Sequence, residues 1–265
     1  MLRLAFFLIV FFSTTLPFVA ALWLLDRLKL PGRRSLSVRY YRMLCRLLRL
    51  RIHTIGRPVQ DQPTLIVSNH VSWLDIPVIS AVCSVAFVTK QEVASWPIVG
   101  PASRLLRSVY IDRTRRQQSG EDSANIARRL IEGDPVVLFA EGTSSDGNRT
   151  LPFRSALVGA VAQVDPAHQV LLQPMSIGYN RLQGLAMGRR DRPLIAWYGD
   201  LDFAPHIKQF VRRGVVDVTV TFGEPVPFHN GANRKAVTRA LEADVRRLTV
   251  AALRHRIVQT GVAVT

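Results

Sequence analysis

Asn69, His70 and Asp75 stand in the pattern N-H-x4-D. An imidazole takes up a proton near neutral pH. A carboxylate five residues further on can accept from one ring nitrogen and leave the other as a base. The pair has no nucleophile of its own. It suits deprotonation of a substrate hydroxyl that then attacks an activated acyl group. A His–Asp pair alone is also an ordinary structural hydrogen bond, so the weight falls on the segments around it.

Those segments place the pair. Leu65-Ile66-Val67 is a strand of β-formers that ends at Asn69-His70. Ser72 or Asp75 can open a helix, with Pro77 in its first turn. The imidazole then lies at the end of a buried strand, where α/β proteins hold their active sites. Three more β-rich runs lead into polar clusters: 109–111 into Asp112-Arg113, 136–139 into Ala140 to Gly147, and 170–172 into Gln173 to Ile177. All four clusters are expected on one edge of a sheet. Further strands are expected at 85–88 and 216–222, with a turn at Gly223-Glu224-Pro225. Helices are expected over 121–132, 155–163 and 234–254. The alternation reads as α/β, a largely buried sheet covered by helices. No P-loop, dinucleotide fingerprint, H-E-x-x-H or G-x-S-x-G occurs. Two cysteines, Cys45 and Cys83, exclude a disulfide scaffold and a four-thiolate zinc site.

In this order the motifs resemble the glycerolipid acyltransferase family, the PlsC-like 1-acylglycerol-3-phosphate acyltransferases. Asn69, His70 and Asp75 match the first motif. Tyr110-Ile111-Asp112-Arg113 loosely matches the second, F-I-x-R. Phe139, Glu141, Gly142, Thr143 and Ser145 match the third, F-P-E-G-T-R-S, and Pro174 matches the fourth. The resemblance covers roughly residues 60 to 225. It implies His70 as general base and Asp75 as its orienting partner. It implies Asn69, Arg113, Glu141, Gly142 and Thr143 as substrate-binding positions, to which Arg149 is added as a nearby cation of the same loop. The implied partners are a lysolipid acceptor and an acyl thioester of acyl carrier protein (acyl-ACP) or coenzyme A (acyl-CoA). No metal and no cofactor is expected.

Three positions depart from the pattern. Ala140 replaces the usual Pro, and Arg107 stands where Gly is frequent. Ser144 stands where the third motif usually has Arg. A guanidinium there would grip an acceptor phosphate as a charge-assisted fork, and a hydroxyl carries no such charge. Arg149 and Arg154 are the nearby replacements. The stretch 141–149 looks like the branch that includes lyso-ornithine lipid O-acyltransferases. The first expectation for the acceptor is 1-acylglycerol-3-phosphate, giving phosphatidic acid, and the alternative is lyso-ornithine lipid. A non-enzymatic basic lipid-binding protein and a hydrolase that uses water in place of the lysolipid are the rival classes.

The start of the chain concerns location. Leu4 to Leu25 is 22 positions without a charge, long enough to cross a hydrocarbon core. Residues 27–57 hold ten basic residues and no acidic one, while only Arg3 precedes the apolar run. By the positive-inside rule the body stays cytoplasmic, and the resemblance implies the inner membrane of a bacterium. The run Tyr40 to Ile52 is read as a basic amphipathic helix on anionic lipid. Residues 1–56 are thus assigned to an N-terminal membrane-anchoring helical segment and 57–265 to the acyltransferase domain. The chain has 35 Lys and Arg against 19 Asp and Glu, a net charge of +16, which calls for a polyanionic partner. A bilayer fits better than nucleic acid, because aliphatics rather than stacking aromatics separate the basic residues.

Overall fold

The computed structural model describes residues 2–60, 62–95, 100, 103–104, 107–111, 119–159, 161, 164, 169–228 and 232–254. In chain order the elements are α1 (Leu2–Arg27), α2 (Arg33–Leu47), β1 (Leu50–Ile55), β2 (Thr64–Ser68), α3 (Asp75–Val82), β3 (Ala86–Lys90), β4 (Val109–Ile111), α4 (Ser119–Ile131), β5 (Val136–Phe139), α5 (Ser155–Val158), β6 (Val170–Leu182), β7 (Leu185–Ala186), α6 (Phe203–Arg213), β8 (Val216–Phe222), β9 (Val226–Phe228) and α7 (Arg234–Leu253).

The strands form one sheet in the order β1-β8-β6-β2-β5-β3-β4, with β7 and β9 also paired to β6. From β6 through β4 every pairing on this path is parallel, so these chains exit on one edge. β8 runs antiparallel to β6, and β1 runs parallel to β8. Parallel strands bury both faces, and their side chains alternate between two cores. Ile66, Val137 and Phe87 join the core beneath α1, α2, α3 and α6. Leu65, Val67, Val136 and Leu138 join the opposite one with Leu130 of α4 and Leu241 of α7.

α1 is apolar on every side, but only one stripe is buried. Phe7, Thr15, Phe18 and Leu22 recur at helical spacing and pack toward α2 and α6. Phe18 stacks on Tyr40 with ring centroids 3.8 Å apart, and the hydroxyls of Thr15 and Tyr40 are 2.7 Å apart. Phe6, Ile9, Leu16 and Trp23 are exposed. α2 is amphipathic as expected: Tyr40, Tyr41, Leu44 and Cys45 are buried while Arg39, Arg42 and Arg46 are exposed. Burial pushes the thiols of Cys45 and Cys83 up to about 12.

The structure departs from the sequence expectation at α2 with β1, at β6 and at β9. The helix read over 40–52 lies at Arg33–Leu47; Arg49 turns the chain with φ +59 and Leu50 begins β1. The sheet therefore starts inside the stretch assigned to the anchor, with Leu50 paired to Val216. The strand read at 170–172 runs on to Leu182, so Gln173 to Ile177 lie within β6 rather than after a strand. The turn at 223–225 is followed by one more strand, β9, which pairs with the first half of β6. Of the helix read over 155–163, α5 covers Ser155–Val158, and residues 160, 162 and 163 lie outside the described residues.

Candidate active site

β2 ends at Ser68, and its ladder with β6 ends at the pair Ser68–Met175. One residue later the Asn69 side chain takes over the pairing. Its Nδ2 donates to the Ile177 carbonyl and its Oδ1 accepts from the Ile177 N–H, both at 2.9 Å. A carboxamide presents the same donor and acceptor as a peptide group, so it extends the ladder where the main chain has turned away. Asn69 is 2% exposed, and these two bonds occupy its amide. Its amide aims the turn, and the substrate contact expected at Asn69 finds this side chain buried and engaged with β6.

That turn carries His70 to Asp75, the first residue of α3. His70 Nδ1 lies 2.7 Å from Asp75 Oδ2. The same oxygen accepts from the N–H groups of Val71 at 2.7 Å and Ser72 at 3.1 Å. The other oxygen, Oδ1, accepts from the Tyr179 hydroxyl at 2.8 Å. Asp75 is fully buried. With a carboxylate facing Nδ1, that nitrogen carries the proton and Nε2 holds the free lone pair. The His70 side chain keeps 20% of its surface exposed and lies on Phe139, ring centroids 4.1 Å apart at 16°. The arrangement can act as a base: Nδ1 is taken by the carboxylate, the ring plane is set by Phe139, and the side chain stays partly exposed.

The second part of the site is the loop after β5. Ser145 N–H donates to the His70 carbonyl at 2.8 Å, which ties the loop to the turn. Gly142 has φ +75, and a Cβ there would lie 2.8 Å from Arg154 Nε, so the residue serves both the left-handed turn and the crossing of Arg154. Glu141 is 3% exposed, and neither oxygen closes a hydrogen bond. Burial pushes its carboxyl up to about 8, although the backbone N–H groups of Leu151 and His70 favour the anion. Asp75 and Glu242 add to the rise. Thr143 and Arg149 are exposed. The expected cradle is therefore divided, with Thr143 and Arg149 at the surface and Glu141 beneath it. Arg113 lies outside the described residues.

Ser144 donates its hydroxyl to the Trp197 carbonyl, and Trp197 N–H donates to the Val71 carbonyl at 3.0 Å. Residues 188–201 are thereby sewn onto both the loop and the turn. Arg192 reinforces this by donating to Asn148 Oδ1 at 3.2 Å, and Asn148 Nδ2 donates to the Arg189 carbonyl at 3.1 Å. Asp146 is held below the usual carboxylate range. Burial opposes this, but hydrogen bonds from Asn148 and the charge of Arg149 outweigh it. Sequence reasoning missed Tyr179 and the 188–201 segment. Tyr179 was concealed by the strand read as three residues long, and nothing in 188–201 forms a motif.

Fold and dyad together describe an α/β enzyme of acyl transfer. The Acyltransferase family model matches residues 49–178. The chain is 46% identical over 237 residues to a lyso-ornithine lipid O-acyltransferase of Brucella abortus, covering 88% of this chain and 89% of that one. A stretch of 105 residues is 38% identical to a 1-acyl-sn-glycerol-3-phosphate acyltransferase of Neisseria gonorrhoeae, covering 39% of this chain and 41% of the relative. Among solved structures, the 1-acyl-sn-glycerophosphate acyltransferase PlsC of Thermotoga maritima shares the fold, with a TM-score of 0.59 at 20% identity over 86% of this chain and 80% of that chain. The chain belongs to this acyltransferase family. It is an acyltransferase that acts on lysolipids.

Proposed function

We propose that the protein transfers a fatty acyl group from an acyl-ACP or acyl-CoA thioester to the hydroxyl of lyso-ornithine lipid, giving ornithine lipid. Ser144 carries this choice of acceptor. Where the third motif has a phosphate-gripping guanidinium, this chain has a hydroxyl spent on the Trp197 carbonyl. The Brucella relative, similar over nearly the whole chain, carries the matching name. The second reading, 1-acylglycerol-3-phosphate, draws on the Neisseria match and on Arg149 and Arg154 as cations of the same loop.

In the reaction His70 Nε2 takes the proton of the acceptor hydroxyl. The oxygen attacks the thioester carbonyl, and an ester bond forms as the C–S bond breaks. The imidazolium then returns the proton to the departing thiolate. Asp75 holds the tautomer and faces the charge that develops on the ring. Neither step draws on a cofactor.

The reaction takes place at a membrane surface. α1 lies along the catalytic body through Phe7 to Leu22, roughly 22 Å at 1.5 Å per residue, and offers its exposed apolar side to lipid. This favours insertion beside the body in one leaflet over a separate crossing of the bilayer. The ten basic residues that follow α1 support the cytoplasmic face of the inner membrane.

The test offers purified, detergent-solubilised protein both acceptors side by side, each with acyl-ACP and with acyl-CoA. Diacyl product from lyso-ornithine lipid alone supports the assignment. Phosphatidic acid formed at a comparable rate overturns it. His70→Ala should lower turnover by about 10²- to 10⁴-fold with folding intact.

A further inference from the structure

Asp75 has two oxygens and four donors, divided unequally. Oδ2 takes His70 Nδ1 and the N–H groups of Val71 and Ser72. Oδ1 takes only the Tyr179 hydroxyl among the described residues. The carboxylate is fully buried, so water does not replace a missing donor. We propose that Tyr179 is a positioning residue of the acyl transfer: by anchoring Oδ1 it fixes the carboxylate plane and reserves Oδ2 for His70. The proposal rests on the reading of His70 as the base.

The geometry gives the hydroxyl a task that packing does not explain. Without the donor, Oδ1 is buried and unpaired, and the carboxylate is held through Oδ2 alone, so rotation about Cβ–Cγ is no longer opposed from the far side. The imidazole bonded to Oδ2 must follow, and Nε2 leaves its line. Tyr179 is itself held firmly. It is 2% exposed and lies on β6 two residues beyond Ile177, which the Asn69 amide grips. One strand thus holds the turn at both ends, through the Ile177 backbone at Asn69 and through the Tyr179 side chain at Asp75. Burial, with the charge of Asp75 next, holds the Tyr179 hydroxyl well above the usual phenol range, so it remains a donor at any working pH.

Tyr179→Phe keeps the ring and removes only the donor. The expected result is a kcat lower by about 10- to 100-fold, the penalty of a misplaced base, with KM for both substrates unchanged within about twofold. The far-downfield proton resonance of the His70–Asp75 bond should shift or broaden. In an Asp75→Ala background the same substitution should cost nothing further, because its target is gone. Wild-type kcat, a change in KM alone, or an equal loss in the Asp75→Ala background overturns the proposal. Should Tyr179→Phe accumulate poorly, 3-fluorotyrosine at position 179 keeps the fold and sharpens the donor. A shifted downfield resonance then supports the proposal, and an unmoved one overturns it. His70→Ala measured in parallel separates the two claims. An active His70→Ala removes the base reading, whereas an inactive one beside a wild-type Tyr179→Phe removes only the role of Tyr179.

Discussion

The turn from Asn69 to Asp75 and the loop from Glu141 to Arg149 meet where Ser145 N–H donates to the His70 carbonyl. In the turn, the Asn69 amide, His70 Nδ1 and both Asp75 oxygens have partners, and β6 supplies three of the bonds. In the loop, the Glu141 carboxyl is buried without a hydrogen bond, Thr143 and Arg149 are exposed, and Ser144 and Asn148 are tied to residues 188–201. The turn is over-determined, as a group that must hold a proton in one place needs to be. The loop leaves the Glu141 carboxyl unpaired and Thr143 and Arg149 at the surface, which leaves room for one branch of a family to differ from another in its acceptor.

Three measurements can break or sharpen that contrast. The largest effect is expected from Asn69→Ala. It strips partners from the buried N–H and carbonyl of Ile177 and should cost about 2–5 kcal/mol in thermal unfolding, with activity falling alongside. A cost near zero would mean that β6 does not hold the turn. Next is Glu141→Gln. Burial raises the Glu141 carboxyl in the folded chain to about 8, well above the usual carboxylate range, so the native state binds the extra proton. Its favourable contribution is complete below about 4.5 and is lost as pH rises toward and through 8. Glu141→Gln should therefore gain on wild type in Tm between these limits, by on the order of 10 °C across the whole window. Parallel Tm–pH curves would place the carboxyl in water instead. The smallest effect is expected from Ser144→Ala, which loses one bond to the Trp197 carbonyl. It should cost about 0.5–1.5 kcal/mol and leave kcat nearly unchanged. A collapse of kcat would move Ser144 from the tunable side of the comparison to the fixed one.

Much of the turn was legible because its residues are adjacent in sequence. A strand of β-formers, a His, a carboxylate and a helix start occur within fourteen positions, Thr64 to Pro77. Its support was not legible, because β6 hides its length. Pro174 lacks an N–H and Gly178 lacks a side chain, and both read as strand breakers. In the fold Pro174 still pairs with Val67, and Gly178 lets α7 approach, where an added Cβ would stand 3.3 Å from Ala252 Cβ. β1 was concealed for another reason. Leu50-Arg51-Ile52 continues the apolar–basic spacing of α2, and only the left-handed backbone of Arg49 marks the break. The inward direction of Glu141 had no sequence signal, since the motif fixes its place in the chain and the packing of the loop fixes where it faces.

The two cysteines have a practical consequence. With both thiols buried and pushed up to about 12, about one in 10⁵ is thiolate at pH 7. The wild-type chain is therefore nearly silent toward maleimides. A single cysteine introduced on the exposed side of α1, at Leu16 or Trp23, would take a fluorophore or spin label without first removing the native ones. Quenchers placed at known depths in a vesicle could then report how far the helix sinks while the enzyme turns over.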